Sequence, residues 1–294
     1  MIQNELSAEE KTLIVLELRQ HFPLSGLLRL AGLPRSTFYY RQKALQAEDK
    51  DTDLKTEIRA IFKRHKGRYG YRRVNAELRQ QGVVANHKKV QKLMVAMQLK
   101  STVRPKRYRA FLGAPSEISP NRLARDFSAA RPNERWVTDV TEFKVESRKL
   151  YLSPIMDLYN REIVSYEIAE QPLPKMIERM LTKAFDRLDP SERPLLHSDQ
   201  GWQYRMPAFR QRLQTSGLVQ SMSRKGNCLD NAAMESFFGT LKCELFYLNE
   251  YKSIQDLKVA LHDYIHYYNV DRIKLGLKGL SPVAYRLRAA AMAA

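Results

Sequence analysis

At 294 residues the chain has room for two or three domains and a substantial core. Its hydrophobic content of 44% suits a globular protein; no apolar stretch reaches membrane-spanning length and the N-terminus lacks a signal peptide's charged-then-apolar layout, so a membrane-embedded or secreted protein is excluded and a cytoplasmic one expected. The net charge of +18 points to a polyanionic partner, because residues 59–109 alone hold sixteen Lys or Arg against one acid, Glu77. Two cysteines, Cys228 and Cys243, with no CxxC or His/Cys cluster, fit a reducing compartment and argue against structural zinc.

In chain order, Ser7 and Glu10 form a capping-box pattern that opens an amphipathic helix to about Gln20. Pro23 breaks it, Leu24–Ala31 resumes, Gly32 turns, and a further helix follows Pro34. Helix, glycine turn, helix over residues 1–46 is a helix-turn-helix layout, with Arg35 near the reading end. A second such unit is expected over 47–103: helices Asp53–His65 and Tyr71–Gln80, then a helix from His87 to Met97 capped by Asn86. Val90, Leu93, Met94 and Met97 give that last helix a core face, while Lys88, Lys89 and Lys92 give it a basic face suited to DNA phosphates. Residues 104–132, opening on Arg104-Pro-Lys-Arg-Tyr-Arg109, read as a basic extended linker.

From 133 to 250 strands are expected near 136–145, 149–157, 162–169, 194–199 and 218–222, with helices near 174–188 and 207–216. The first three are joined by tight turns and are antiparallel; the later crossovers are long enough for parallel pairing. The fold class is α/β, a mixed five-stranded sheet flanked by helices and preceded by all-α helix-turn-helix units. Residues 251–294 form a C-terminal helical extension.

Three carboxylates stand out in the 133–250 segment. Asp139 sits mid-strand in Trp136-Val-Thr-Asp-Val-Thr-Glu-Phe143, where Asp is disfavoured and its burial is costly without a partner. Asp199 ends the run Pro194-Leu-Leu-His-Ser-Asp, and ends of parallel strands are where open sheets put their sites. Glu235 follows Asp230, a natural N-cap, on a helix whose Met234, Phe237, Phe238, Leu241 and Leu245 form an apolar stripe. At about 100° per residue, Asn231, Glu235 and Lys242 share the other side. Brought together in an apolar crevice, three acids would repel; a divalent cation removes that penalty, and hard oxygen ligands select magnesium or manganese. Glu142 and Asp157 are candidates for an outer ring, and His197 for packing rather than metal ligation.

The phrases Trp-Val-Thr-Asp-Val-Thr at 136–141, His-Ser-Asp-Gln-Gly at 197–201 and Asp-Asn-Ala-Ala-Met-Glu-Ser-Phe-Phe-Gly-Thr-Leu-Lys at 230–242, with 35 residues between Asp199 and Glu235, resemble the DDE catalytic core of retroviral integrases and insertion-sequence transposases. Gln220-Ser-Met-Ser-Arg-Lys-Gly226 narrows the resemblance to insertion-sequence family three, as a downstream reading-frame product. The resemblance implies a ribonuclease-H-like core in which the first and fourth strands lie side by side. It implies catalytic, metal-binding Asp139, Asp199 and Glu235, two Mg2+ ions replaceable by Mn2+, and DNA contacts from Lys225, Asn231 and Lys242. It further implies a bacterial, nucleoid-associated enzyme that cleaves its element's ends and transfers the 3′ hydroxyl to target DNA. Partners would be that DNA, further copies of the chain and an upstream-frame protein. Lys274 stands where many family members carry a histidine. Residue spacing by itself does not separate a transposase from a metal-dependent nuclease; the resemblance does.

Overall fold

The computed structural model describes residues 6–46, 49–101, 119–124, 126–224 and 228–293. Two compact units divide after Glu57. In the first, α1 (Ala8–Leu18) packs against α2 (Leu24–Ala31) and α3 (Arg35–Gln46). Both halves of the Ser7/Glu10 capping box form, and Gly32 ends α2 in the left-handed conformation at φ 61°, which glycine adopts without a Cβ clash. The expected amphipathicity of α1 is weaker than its sequence suggests. Only Thr12 and Val15 are buried, while Leu13, Ile14 and Leu18 stay exposed, because a core of Val15, Leu28, Leu33 and Phe38 is too small to cover them.

The division falls within α4 (Thr52–Arg64). The second unit continues with α5 (Tyr71–Gln80) and α6 (His87–Ala96), the last capped by the Asn86 side chain, whose Oδ1 accepts from Lys88 N at 2.9 Å. The basic strap Arg104–Arg109 lies outside the described residues. The described part of the expected linker is anchored: Arg122 and Leu123 amides donate to Ser221 Oγ, and Leu123 enters the core.

Among the described residues six strand segments build the sheet: β1 (Arg135–Thr138), β2 (Thr141–Val145), β3 (Arg148–Asp157), β4 (Ile163–Ala169), β5 (Leu195–Ser198) and β6 (Val219–Met222). The strand expected over 136–145 is broken at Asp139–Val140. Its halves β1 and β2 both pair antiparallel with β3, so the sheet keeps five lanes. β3 also pairs with β4, while β1, β5 and β6 run parallel. One face packs against α7 (Pro174–Phe185), α8 (Trp202–Arg205) and α9 (Pro207–Thr215) through Trp136, Ile155 and Met180. The other packs against α10 (Ala232–Glu244) and α11 (Ile254–Val270) through Val137, Leu152, Phe237, Leu241 and Tyr268. α12 (Pro282–Ala293) closes the chain, its Arg286 paired with the fully buried Asp157 of β3.

Candidate active site

β1 and β5 are parallel neighbours in register, with Val137 opposite His197. Asp139 and Asp199, each two residues further on, therefore leave the same end of adjacent strands, at a strand spacing of about 4.8 Å. Asp139 occupies the strand break, where its Oδ1 accepts from Val140 N at 2.7 Å; a residue that does not sit easily in a ladder stands where the ladder stops. The Asn231 Nδ2 donates to Thr138 O at 3.2 Å, fixing the start of α10 beside Asp139, and Glu235 follows one turn later.

Electrostatics link the three. Burial, then the charges of Asp199 and Glu235, push the Asp139 carboxyl well above the ordinary range, while the Val140 amide and Lys242 pull it back. Burial also raises Asp199, against the Gly201 amide and Arg205. Asp199 Oδ1 accepts from Gly201 N at 2.9 Å in a tight turn. A Cβ on Gly201 would meet Gln203 Nε2 at 2.7 Å and that same carboxylate oxygen at 2.9 Å. Lys242 is half-buried, its ammonium lowered by burial and supported by Glu142 and Asp139. Among the described residues no three His, Cys, Asp or Glu side chains form a ready-made metal cage. The donor set nevertheless suits a hard divalent cation: all-oxygen, desolvated and mutually repelling.

Other acids are committed elsewhere. Asp230 is not the N-cap of α10; that position is Asn231, and the buried Asp230 carboxylate accepts from Arg224 and Asn121 across the loop. Glu244 is held by Arg272 at 2.6 and 2.9 Å and by the Tyr264 hydroxyl at 2.9 Å. Glu142 pairs with Lys149 at the surface. His197 is packed, its ring nitrogens 2.9 and 3.1 Å from Ser221 and Ser223 hydroxyls, and burial lowers its pKa to about 4.

Of the expected DNA contacts, Arg35 is exposed at the start of α3, and Lys88, Lys89 and Lys92 are exposed on α6 opposite its core face. Lys225 lies outside the described residues. Asn231 is buried, its amide nitrogen donating to the Thr138 carbonyl of β1. Two neighbours of the acids escape sequence reading. Tyr204 is fully buried with its hydroxyl 3.4 Å from Thr138 Oγ1, and Arg205 acts on Asp199. They lie on a four-residue helix too short to show periodicity; the only signal is the Gly201 turn that folds them back.

A mixed ribonuclease-H-like sheet with acids at the ends of its central parallel strands is the architecture of integrase-type polynucleotidyl transferases. Family models agree: an integrase core domain matches residues 129–228, a second integrase core domain model 235–289, and an HTH-like domain 48–107. The chain is 56% identical over 270 residues to the putative transposase InsK for insertion sequence element IS150 of Escherichia coli, covering 92% of this chain and 95% of that one. It is 34% identical to the transposase for IS904 of Lactococcus lactis, over 78% and 91% of the two chains. It is 41% identical to a probable transposase for IS1353 of Shigella flexneri, where the match spans 96% of this chain and 55% of the relative. A solved HTLV-2 integrase catalytic core in complex with magnesium aligns over 53% of this chain and 98% of its own, at 18% identity and a TM-score of 0.43. The chain belongs to the insertion-sequence transposases of family three, enzymes of DNA transposition.

Proposed function

We propose that Asp139, Asp199 and Glu235 form the catalytic centre of this transposase and hold two Mg2+ ions, with Mn2+ as substitute. The observation that carries this is geometric: Asp139 and Asp199, 60 positions apart, follow paired residues at the same end of the parallel neighbours β1 and β5, and Asn231 ties the start of the Glu235 helix to Thr138 beside them. Bound there, a divalent pair would activate the attacking oxygen and stabilise the leaving one during in-line displacement at phosphorus. The chain's part is to hold the acids level on β1 and β5, to bring Glu235 in from α10, and to offer Lys242 as counter-charge to the scissile phosphate. No side chain is assigned as general base, since His197 is enclosed by serines.

Two displacements follow. Water attacks a phosphodiester at the element end; a P–O bond forms, the bond to the 3′ oxygen breaks, and that oxygen takes a proton to become a hydroxyl. The hydroxyl then attacks a second phosphodiester, forming a new P–O bond as it gives up its proton to solvent, while the bond to that phosphodiester's 3′ oxygen breaks and the released oxygen takes up a proton. Two ends must be held at once, which supports a homo-oligomer on DNA. The longer IS1353 relative is compatible with an upstream-frame partner. Purified protein incubated with labelled element ends and magnesium tests the reading: joined strands are expected. Bare nicks would make it a nuclease, and retention without cleavage a binding protein. Asp199→Asn should lose joining and keep retention; wild-type joining by that variant would remove Asp199 from the centre.

A further inference from the structure

The flank of α10 turned away from Glu235 borders a cavity of about 300 Å³. Ser236 and Thr240 lie about 100° and 140° around the helix from Glu235, so this space is separate from the acid trio. Its polar lining is completed by Arg161, Tyr268 and Lys274, against apolar walls of Met156 and Phe237.

The charge here is one-sided. Lys274 Nζ lies 4.6 Å from the Tyr268 ring centroid, and Arg161 donates to Phe127 O at 3.1 Å. The nearby acids are already matched, Glu244 with Arg272 and Asp157 with Arg286. Among the described residues neither Lys274 nor Arg161 is ion-paired with a carboxylate. Burial, then Arg272, Arg161 and Arg73, lower the Lys274 ammonium to about 7, and burial lowers Arg161 as well. Two cations are thus kept partly dry without a directly paired carboxylate, Glu244 and Asp157 acting on them only from a distance.

The buried Tyr268 hydroxyl supplies an independent observation. It is 1% exposed and finds no hydrogen-bond partner among the described residues. Buried hydroxyls are nearly always bonded, so an orphan in the wall of a cavity marks a missing acceptor. Two cations in the lining exclude a metal or an amine as occupant. A group with negative charge and acceptors alone meets both needs, and a phosphoryl oxygen is such a group.

We propose that this cavity binds one phosphoryl group, with Lys274 and Arg161 as counter-charges and the Tyr268 hydroxyl as donor. The group comes either from a DNA backbone or from free orthophosphate. Limited acetylation of the full chain without added metal, read lysine by lysine by mass spectrometry, tests this, with exposed Lys92 as reference. At orthophosphate ten times its Kd, in place of chloride at equal ionic strength, Lys274 labelling should fall about tenfold relative to Lys92. Tyr268→Phe should lose most of that protection. Protection by orthophosphate and by an element-end duplex identifies a backbone phosphate; protection by orthophosphate alone identifies a free anion. Protection by neither, or by the duplex alone, overturns the pocket. Asp199→Asn should keep the protection while losing strand joining, so this proposal and the catalytic one fail separately.

Discussion

A carboxylate stripped of water and set beside two others works against the fold that carries it, and Asp139 is in that position. Its folded pKa stands above the unfolded value of about 3.9, so the folded chain holds a proton that the unfolded chain has released; stability falls as pH rises from about 4 through the raised value. Asp139→Asn keeps the oxygen that accepts from Val140 and removes the charge. Without metal it should melt higher at neutral pH, by about 2–4 °C per kcal/mol relieved, and show no gain below about pH 4. Differential scanning calorimetry at the two pH values checks this. Gly201→Ala acts through geometry: the added carbon meets Gln203 and Asp199 inside 3 Å, turning the carboxylate. Strand joining should fall by about 10²-fold with little loss of melting temperature. For Lys274 the sign is opposite to that of Asp139. Faced by Arg272, Arg161 and Arg73, with Glu244 opposing and the Tyr268 ring beneath, it is charged below about 7 and neutral above. Sulfate, whose own charge is constant there, should raise the melting temperature below that pH and lose the effect above it.

At the scale of elements, α10 shows what local pattern discloses and what it hides. The apolar stripe Met234, Phe237, Phe238, Leu241 places the helix, and its register puts Glu235 and Lys242 on one side; both are read from neighbouring residues. Asp230 reads as an N-cap for the same local reason, yet its partners Arg224 and Asn121 reach it by tertiary folding, the latter across 109 positions. The first strand reads as continuous because Val137–Thr141 is rich in β-branched residues; the break depends on the Asp139 carboxylate turning back to the Val140 amide. Glu244 and Arg272, 28 residues apart and both buried, carry no periodic signal. Removing one partner strands a charge: Arg272→Met should cost about 3–5 kcal/mol in chemical denaturation.

Over the whole molecule, charge is the property most legible beforehand and most directly measured. If the exposed Lys88, Lys89 and Lys92 each neutralise a phosphate, replacing all three with Gln should flatten the slope of log K against log salt by about 2.7. An unchanged slope would remove α6 from the DNA. Order along the chain carries a further lesson. Tyr69 accepts from the Ile273 amide and donates to Asp271 O, His65 meets Tyr267, and Arg68 donates to Glu244 O. Early and late segments of the second unit thus close on each other like a clasp, across as many as 204 positions. A ribosome still making residue 270 holds a chain whose catalytic domain lacks its fastening. The clasp can close only once residues 267–273 have emerged, so a fragment ending at 250 should show no cooperative melting.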